Sequence, residues 1–359
     1  LNNNINITIN DKFFKFYMLI TNMGFYGQAM GNLESKGIRA RERRLLYMLE
    51  VDARVRLAAL SSTLKISKEA CRQKIAKMEK GAVAGYQTII NLPKIGVESF
   101  RVYVALSCKR EERQAMLDFL MQSKKIWWVL ETNGEWDFDF VVWAGGNWEF
   151  WLFWKEFYGK FGDIIKNCRI NTYTELVFLP RTFLVRSERE DSRGIRRYDA
   201  KQRISLDKKE MLLLSDIAFR GRDSFAEISK RTRLSIAYVS QTMRKLEKQG
   251  VILGYRALID RNYLGLDYYK ADVRLSSTSK LKALEEYVLG EPFAIYIDNV
   301  IGGSSFEFDF LAVSSDHAKE ILDSVRAICG SSLNHLEFFQ ILGEFKLAHF
   351  PPQISARAL

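Results

Sequence analysis

The chain has 359 residues, 47% of them apolar and 27% charged, enough for two to four ordinary domains with buried cores, and it reads as a soluble globular protein. Its four cysteines (Cys71, Cys108, Cys168, Cys329) show no CxxC spacing and no histidine cluster. That argues against a disulfide framework or a zinc site and suits a reducing cytoplasm, so no metal or other cofactor is expected.

Residues 1–36 stand apart from the rest of the chain. An Asn-rich start (Leu1 to Asn10) leads into an apolar run from Phe13 to Phe25, broken by Lys15 and Asn22. The run is too short to span a bilayer and lacks a signal-peptide cleavage site, so no membrane association is expected. Because the chain begins with Leu, Met23 and Met30 stand as candidate starts, and the segment is read as an extension of unassigned role.

Residues 37–92 carry three short helical stripes followed by a β-ribbon. Leu45, Leu46 and Leu49 share one face, and Leu57, Leu60 and Leu64 form a second stripe after the polar break Asp52-Ala53-Arg54. Ser67 sits where the N-cap of a third helix belongs. On that helix Cys71, Ile75 and Met78 recur at i, i+4, i+7 and predict a buried face. The opposite face presents Lys68, Glu69, Arg72, Gln73, Lys74 and Lys77. Arg and Lys reach guanine edges or phosphates and Gln pairs with adenine, which is the repertoire of a recognition helix in a major groove. Two short helices meeting at a tight turn make a helix-turn-helix, and Gly81 to Gln87 has the strand-turn character of a wing.

Residues 93–183 read as strand, helix, strand, strand, helix, strand. Phe100, Val102, Val104 and Leu106 alternate as a half-buried strand, Arg113 to Met121 carries a helical stripe, Ile126 to Leu130 is a short apolar strand, and Trp136 to Val142 alternates again. Phe150, Phe153, Trp154, Phe157 and Phe161 then fall at helical spacing, before a last strand near Arg169 to Phe178. The order βαββαβ predicts a four-stranded antiparallel sheet with its helices on one face. Seven tryptophans crowd this stretch; core and interface packing is preferred over an aromatic ligand cage.

A charged linker, residues 184–205, separates this unit from its own repetition about 169 residues on. Residues 206–263 restate the first module: Leu213, Leu214 and Ile217, then Phe225, Ile228 and Ser229, then Leu234-Ser235, with Val239, Met243 and Leu246 inward. Outward it shows Ile236, Tyr238, Gln241, Thr242, Arg244 and Lys245. A second wing-like stretch runs from Gly250 to Arg256. Residues 264–352 restate the second module, with Phe306-Glu307-Phe308-Asp309-Phe310 on the register of Trp136 to Phe140 and a last strand near Leu336 to Leu342. The fold class is therefore α+β, two winged helix-turn-helix domains alternating with two ferredoxin-like sandwich domains. Sheet packed on sheet with pseudo-twofold symmetry would make a pseudo-dimer of one chain; further homo-oligomerisation is left open.

Charge follows the repeat. Lys and Arg outnumber Asp and Glu by 12 to 5 in residues 37–92 and 12 to 7 in 206–263, but stand at 12 to 12 in 93–183 and 8 to 13 in 264–359. Two basic modules between neutral or acidic ones point to double-stranded DNA held at two places.

The residues Leu234-Ser235, Arg244-Lys245-Leu246-Glu247, Gly250-Val251-Ile252 and Gly254-Tyr255, their counterparts in the first copy, and the Gly-x-x-Asp of Gly134 and Asp137 resemble the leucine-responsive and AsnC-type regulators. The resemblance covers nearly all of residues 37–352. It implies an archaeal or bacterial transcriptional regulator, not an enzyme, with a small effector such as an amino acid bound near Gly134, Asp137, Gly303 and Glu307. The chain departs from the family at Lys65 and Arg233, where glycine is frequent, and at Glu307, which replaces an aspartate. Two other readings compete. Haem-pathway decarboxylases resemble the same pairing of domains, but only His317, His335 and His349 offer histidine chemistry and no nucleophile or P-loop motif stands out. A degenerate sensor without DNA contact is disfavoured by the retained basic faces.

Overall fold

The protein is described by a computed structural model covering residues 24–185, 194–198 and 202–351. Most of the N-terminal apolar run and part of the charged linker lie outside the described residues. A helix α1 runs through residues 24–35, and Ala29 and Leu33 on it are buried. Among the described residues no helix is long and apolar enough to cross a membrane.

The first helix-turn-helix consists of α2 (Ala40–Val51), α3 (Leu57–Leu64) and α4 (Lys68–Met78), followed by β1 (Val83–Ile90). Its core is Leu45, Leu46, Leu49, Leu60, Leu64, Cys71, Ile75 and Met78, the stripes that the apolar spacing sets. The first ferredoxin-like unit comes next: β2 (Glu98–Leu106), α5 (Arg110–Gln122), β3 (Ile126–Asn133), β4 (Phe138–Ala144), α6 (Asn147–Phe161) and β5 (Ile165–Phe178). A short β6 (Arg196–Tyr198) leads into the second copy: α7 (Lys208–Ile217), α8 (Phe225–Thr232), α9 (Ile236–Lys248) and β7 (Ile252–Ile259). The one-turn α10 (Arg261–Leu264) opens the last unit, β8 (Asp267–Leu275), α11 (Leu281–Gly290), β9 (Ala294–Ile301), β10 (Phe306–Ala312), α12 (Ser315–Cys329) and β11 (Leu333–Leu347).

The strand read as a wing has its partner in the other repeat. β1 and β7 pair antiparallel, from Val83 opposite Ile259 to Ile90 opposite Ile252, and make a two-stranded ribbon along the pseudo-dyad. Helix-turn-helix units are clasped across it in both directions. Ala53 N–H donates to Tyr255 O at 2.9 Å, while Gly221 N–H donates to Tyr86 O at 3.0 Å. Arg54 lies over the Tyr255 ring at 5.1 Å and Arg222 over the Tyr86 ring at 5.4 Å. Each tyrosine hydroxyl donates to a glutamate of its own repeat, Tyr86 to Glu79 and Tyr255 to Glu247, both at 2.6 Å. The duplicated Glu and Gly-Tyr positions are thus the parts of one clasp.

The two four-stranded sheets close into a ring. Strand order is β2-β4-β3-β11-β8-β10-β9-β5, and β5 returns to pair with β2. Closure depends on the last strand of each unit being longer than the apolar segment predicts, 14 residues in β5 and 15 in β11. β5 pairs with β2 through Ile165 to Thr172 and then with β9 through Thr172 to Phe178; β11 pairs with β8 and then with β3. The ring is closed in strand order, and β6 adds a ninth strand on the edge that β5 still offers at Leu176 to Phe178. The outward residues Phe100, Val102, Val104, Phe138, Phe140 and Val142 pack beneath α5 and α6.

The inner face overturns the reading of β2 as half-buried. Arg101 and Tyr103 alternate with the apolar residues and are fully buried inside the ring. Arg101 donates to Asp139 at 2.8 Å, to Asp298 at 2.6 Å and to Tyr173 at 2.7 Å. Lys270, at the matching position of β8, reaches Asp298 at 2.7 Å, Glu307 at 2.9 Å and Asp309 at 3.0 Å. Charges this deep persist only when paired and hydrogen-bonded.

Candidate functional site

The helices α4 and α9, the recognition-helix candidates, each start where the serine sets them. Ser67 Oγ accepts from Ala70 N–H at 3.0 Å and Ser235 Oγ from Tyr238 N–H at 3.2 Å, which satisfies an amide of the first turn and fixes the register of every side chain along the helix. The turn before each helix is held by a residue in the left-handed region, Lys65 at φ 53° and Arg233 at φ 57°. The glycine-like backbone is kept although glycine is not.

On α4, Ser67, Lys68, Arg72, Gln73 and Lys77 are exposed, with Arg72 ion-paired to Glu69 one turn back. Lys74 is half-buried and ion-paired to Glu42 of α2. On α9, Ser235, Gln241, Arg244 and Lys245 are exposed, Tyr238 is half-buried, and Lys245 reaches Glu210 of α7 at 2.6 Å. Thr242 is corrected: it is 5% exposed and lies on the core side of α9 with Met243, so it cannot meet a groove. The Glu42 and Glu210 pairs bring the first turns of α2 and α7 beside the recognition helices, and with them exposed Arg41 and Lys209. Lys209 sits over the Tyr238 ring at 5.8 Å. Sequence reading missed these two because they precede the motif by about thirty residues; the basic run Arg39 to Arg44 was the available signal.

Gly134, Asp137 and Gly303 fall on corresponding hairpin turns, between β3 and β4 and between β9 and β10, whereas Glu307 is the second residue of β10. Gly134 (φ 131°) lies against Phe339 of β11, where a Cβ would come within 3.4 Å of it, and Gly303 (φ 110°) lies against Arg169 of β5. Asp137 is partly exposed, accepts from Leu106 N–H at 2.7 Å and has Arg113 at 3.9 Å. Glu307 differs from it. It is fully buried and accepts from Tyr103 at 3.0 Å, Asn171 at 2.6 Å and Ser304 at 2.7 Å as well as Lys270. Burial works against its charge, yet Lys270 and Arg101 hold its carboxyl down at about 2. With its oxygens committed to the barrel interior, Glu307 has nothing to offer a ligand in this geometry.

The tryptophans divide. Trp136 is buried, Trp148 and Trp151 are exposed on α6, and Trp127 stacks between Trp128 at 5.6 Å and Trp143 at 5.9 Å. Those three line a cavity of about 380 Å³ between the ribbon and the barrel. Among the described residues no group of three metal-ligating side chains gathers.

No family model matches the chain. An uncharacterised helix-turn-helix-type transcriptional regulator of Pyrococcus furiosus is 38% identical over 61 residues, 17% of this chain and 39% of that protein. The proline dehydrogenase transcriptional activator of Rhizobium radiobacter is 37% identical over 83 residues, 23% of this chain and 53% of that one. The leucine-responsive regulatory protein of Rhizobium meliloti is 29% identical over 139 residues, 35% of this chain and 89% of that one. The chain has homologues among the leucine-responsive regulators. It spans about two fifths to one half of the length of the first two of these relatives. Over 89% of this chain the fold is similar to that of the siroheme decarboxylase NirDL, with a TM-score of 0.59, 13% identity and 97% of that chain covered. The leucine-responsive homology and the decarboxylase likeness share one architecture; at that identity the second speaks for fold alone.

Proposed function

We propose that the chain is a sequence-specific, double-stranded DNA-binding transcriptional regulator that acts as a covalent pseudo-dimer and responds to a small effector at its sandwich domains. The observation that carries this reading is the pair of serine-capped helices with exposed basic faces, joined by the β1–β7 ribbon. The two faces differ in sequence, so the operator is an imperfect pair of half-sites about one helical turn, or a small multiple of it, apart. Lys68, Arg72, Gln73 and Lys77 read one half and Tyr238, Gln241 and Arg244 the other, while Lys74 and Lys245 are held by Glu42 and Glu210. Effector contact is proposed at Gly134, Asp137 and Gly303, which lie on the hairpin turns, and not at Glu307, whose carboxylate is buried and fully engaged.

A decarboxylase reading draws on the fold likeness over 88% of this chain. The histidines do not help it. Burial pushes His317 down to about 4 and His349 down to about 3, so both are neutral near pH 7 and hold no proton to donate to a substrate there as imidazolium. His335 is exposed on β11. A gel-shift titration against the upstream DNA of its own gene at two salt concentrations tests the DNA reading. Arg72→Ala and Arg244→Ala are each expected to weaken binding by about 1–3 kcal/mol or to flatten its salt dependence. Affinity and salt slope unchanged in both variants would reject it.

A further inference from the structure

The cavity between ribbon and barrel is built unlike a packing defect. Its walls are aromatic, with Trp127, Trp128, Trp143, Tyr173, Phe178 and Tyr296 among the lining residues. At about 380 Å³ it has the size of a small-molecule site. Among the described residues one cation lines it, Arg256 on β7, which is only 7% exposed. Arg256 donates to Gln87 Oε1 at 2.8 Å and to the Tyr296 hydroxyl at 3.0 Å, and lies over the Phe178 ring at 4.5 Å. All of these partners are neutral.

The carboxylates around it are engaged elsewhere. Glu98 and Glu175, which also line the cavity, pair with Arg203 and Arg197. Glu50 is bound to Arg181, and Glu344 accepts from the Trp128 indole at 2.7 Å. Among the described residues Arg256 therefore forms no ion pair, a costly arrangement for a buried guanidinium. Two further donors are unmatched at the same place: the buried indole N–H groups of Trp127 and Trp143 have no acceptor among the described residues. His349 closes the set as an acceptor, its Nδ1 2.9 Å from Gln87 Nε2.

We propose that this cavity is a binding site for a flat aromatic carboxylate, its ring stacked among the indoles and its carboxylate on Arg256. The site is separate from the hairpin turns at Gly134 and Gly303. Gln87 and Arg256 belong to the ribbon that carries both helix-turn-helix units, while Trp128 and Tyr296 belong to the barrel. A ligand held by Arg256 ties one to the other and alters how the recognition helices meet DNA; this last step rests on the DNA-binding reading, and the site itself does not.

Calorimetric titration of the full chain with indole-3-acetate, phenylpyruvate and 1-naphthoate tests the site without DNA. At least one acid is expected to bind one per chain, with its uncharged parent ring at least tenfold weaker. Arg256→Met is expected to weaken that acid at least tenfold while the melting temperature of the unliganded chain stays level or rises, since a buried unpaired charge is removed. Ser99→Trp, which fills the cavity and leaves Arg256 in place, is expected to abolish binding. Silence from all three acids at millimolar concentration, equal affinity for acid and neutral ring, or undiminished binding to Arg256→Met each overturns the proposal. So does a site that takes an iron tetrapyrrole but none of the small acids. A gel shift with and without the bound acid then reports coupling; failure to shift any DNA beside intact calorimetry would remove the DNA reading and leave the site standing.

Discussion

His317 shows how position, more than residue type, sets chemistry in this chain. Its ring stacks on Phe25 of α1 at 4.7 Å and meets Phe293 edge-on at 4.5 Å, its Nδ1 accepts from Val313 N–H, and its Nε2 is buried without a partner among the described residues. Burial pushes its pKa down to about 4. The unfolded chain takes up a proton at this residue below about pH 6.5, and the folded chain refuses it until about pH 4, so stability drains away as pH falls through that window. The slope approaches ~1.4 kcal/mol per pH unit for one proton. His317→Phe keeps the stack and removes the proton. Urea midpoints at pH 7 and pH 5 are expected to fall less in the variant than in the parent, and an equal fall would assign the loss to other groups. The same residue ties α1 to the second sandwich unit, a contact that Lys36 extends through the Tyr263 carbonyl at 2.5 Å.

At the scale of elements the helix-turn-helix turn is the informative case. The sequence places lysine and arginine where the resemblance leads one to expect glycine, and the backbone adopts the left-handed conformation regardless. The packing of α3 on α4 and of α8 on α9 dictates the turn, and the side chain bears the steric cost, about 1–2 kcal/mol per residue. Glycine relieves that cost but loses more freedom on folding. Arg233→Gly is expected to gain roughly 0.5–1 kcal/mol, read as a higher melting temperature with Lys65→Gly in parallel. A lower melting temperature in both would show that the arginine and lysine side chains contribute more than the strain they cause. The last strands make the same point from the other side. Reading them from Arg169 and Leu336 found the apolar segments, but β5 starts at Ile165 and β11 runs from Leu333 to Leu347, because much of each strand is polar and owes its pairing to a neighbour that local periodicity does not reveal.

For the whole molecule, ring closure and the ribbon make the two repeats depend on each other. A single sheet would expose Arg101, Asp139 or Lys270, Asp309 on one face and leave β5 or β11 without the strand that completes it. Residues 37–183 and 206–351 produced as separate chains are expected to yield no stable folded monomer, each self-pairing or aggregating, and to restore a one-to-one complex when refolded together. Analytical ultracentrifugation with far-ultraviolet circular dichroism distinguishes the outcomes; a monomeric half that melts cooperatively would count against mutual dependence.

What local sequence determined is whatever depends on neighbours a few residues away: the duplication, the helix stripes, the serine caps, the βαββαβ order and the two basic faces all come from spacing and side-chain type. What only the tertiary structure decided is which surface covers which. Alternation in β2 says that Phe100 and Arg101 face opposite ways, but not that Arg101 looks into a closed ring facing Asp298 of the other repeat. Likewise Thr242 reads as outward on a helical wheel and is turned to the core, and Arg256 reads as part of a wing and becomes a buried cation beside an aromatic cavity. Periodicity fixes a direction within one element; the partner across that face comes from residues more than a hundred positions away, and only chain closure brings them there.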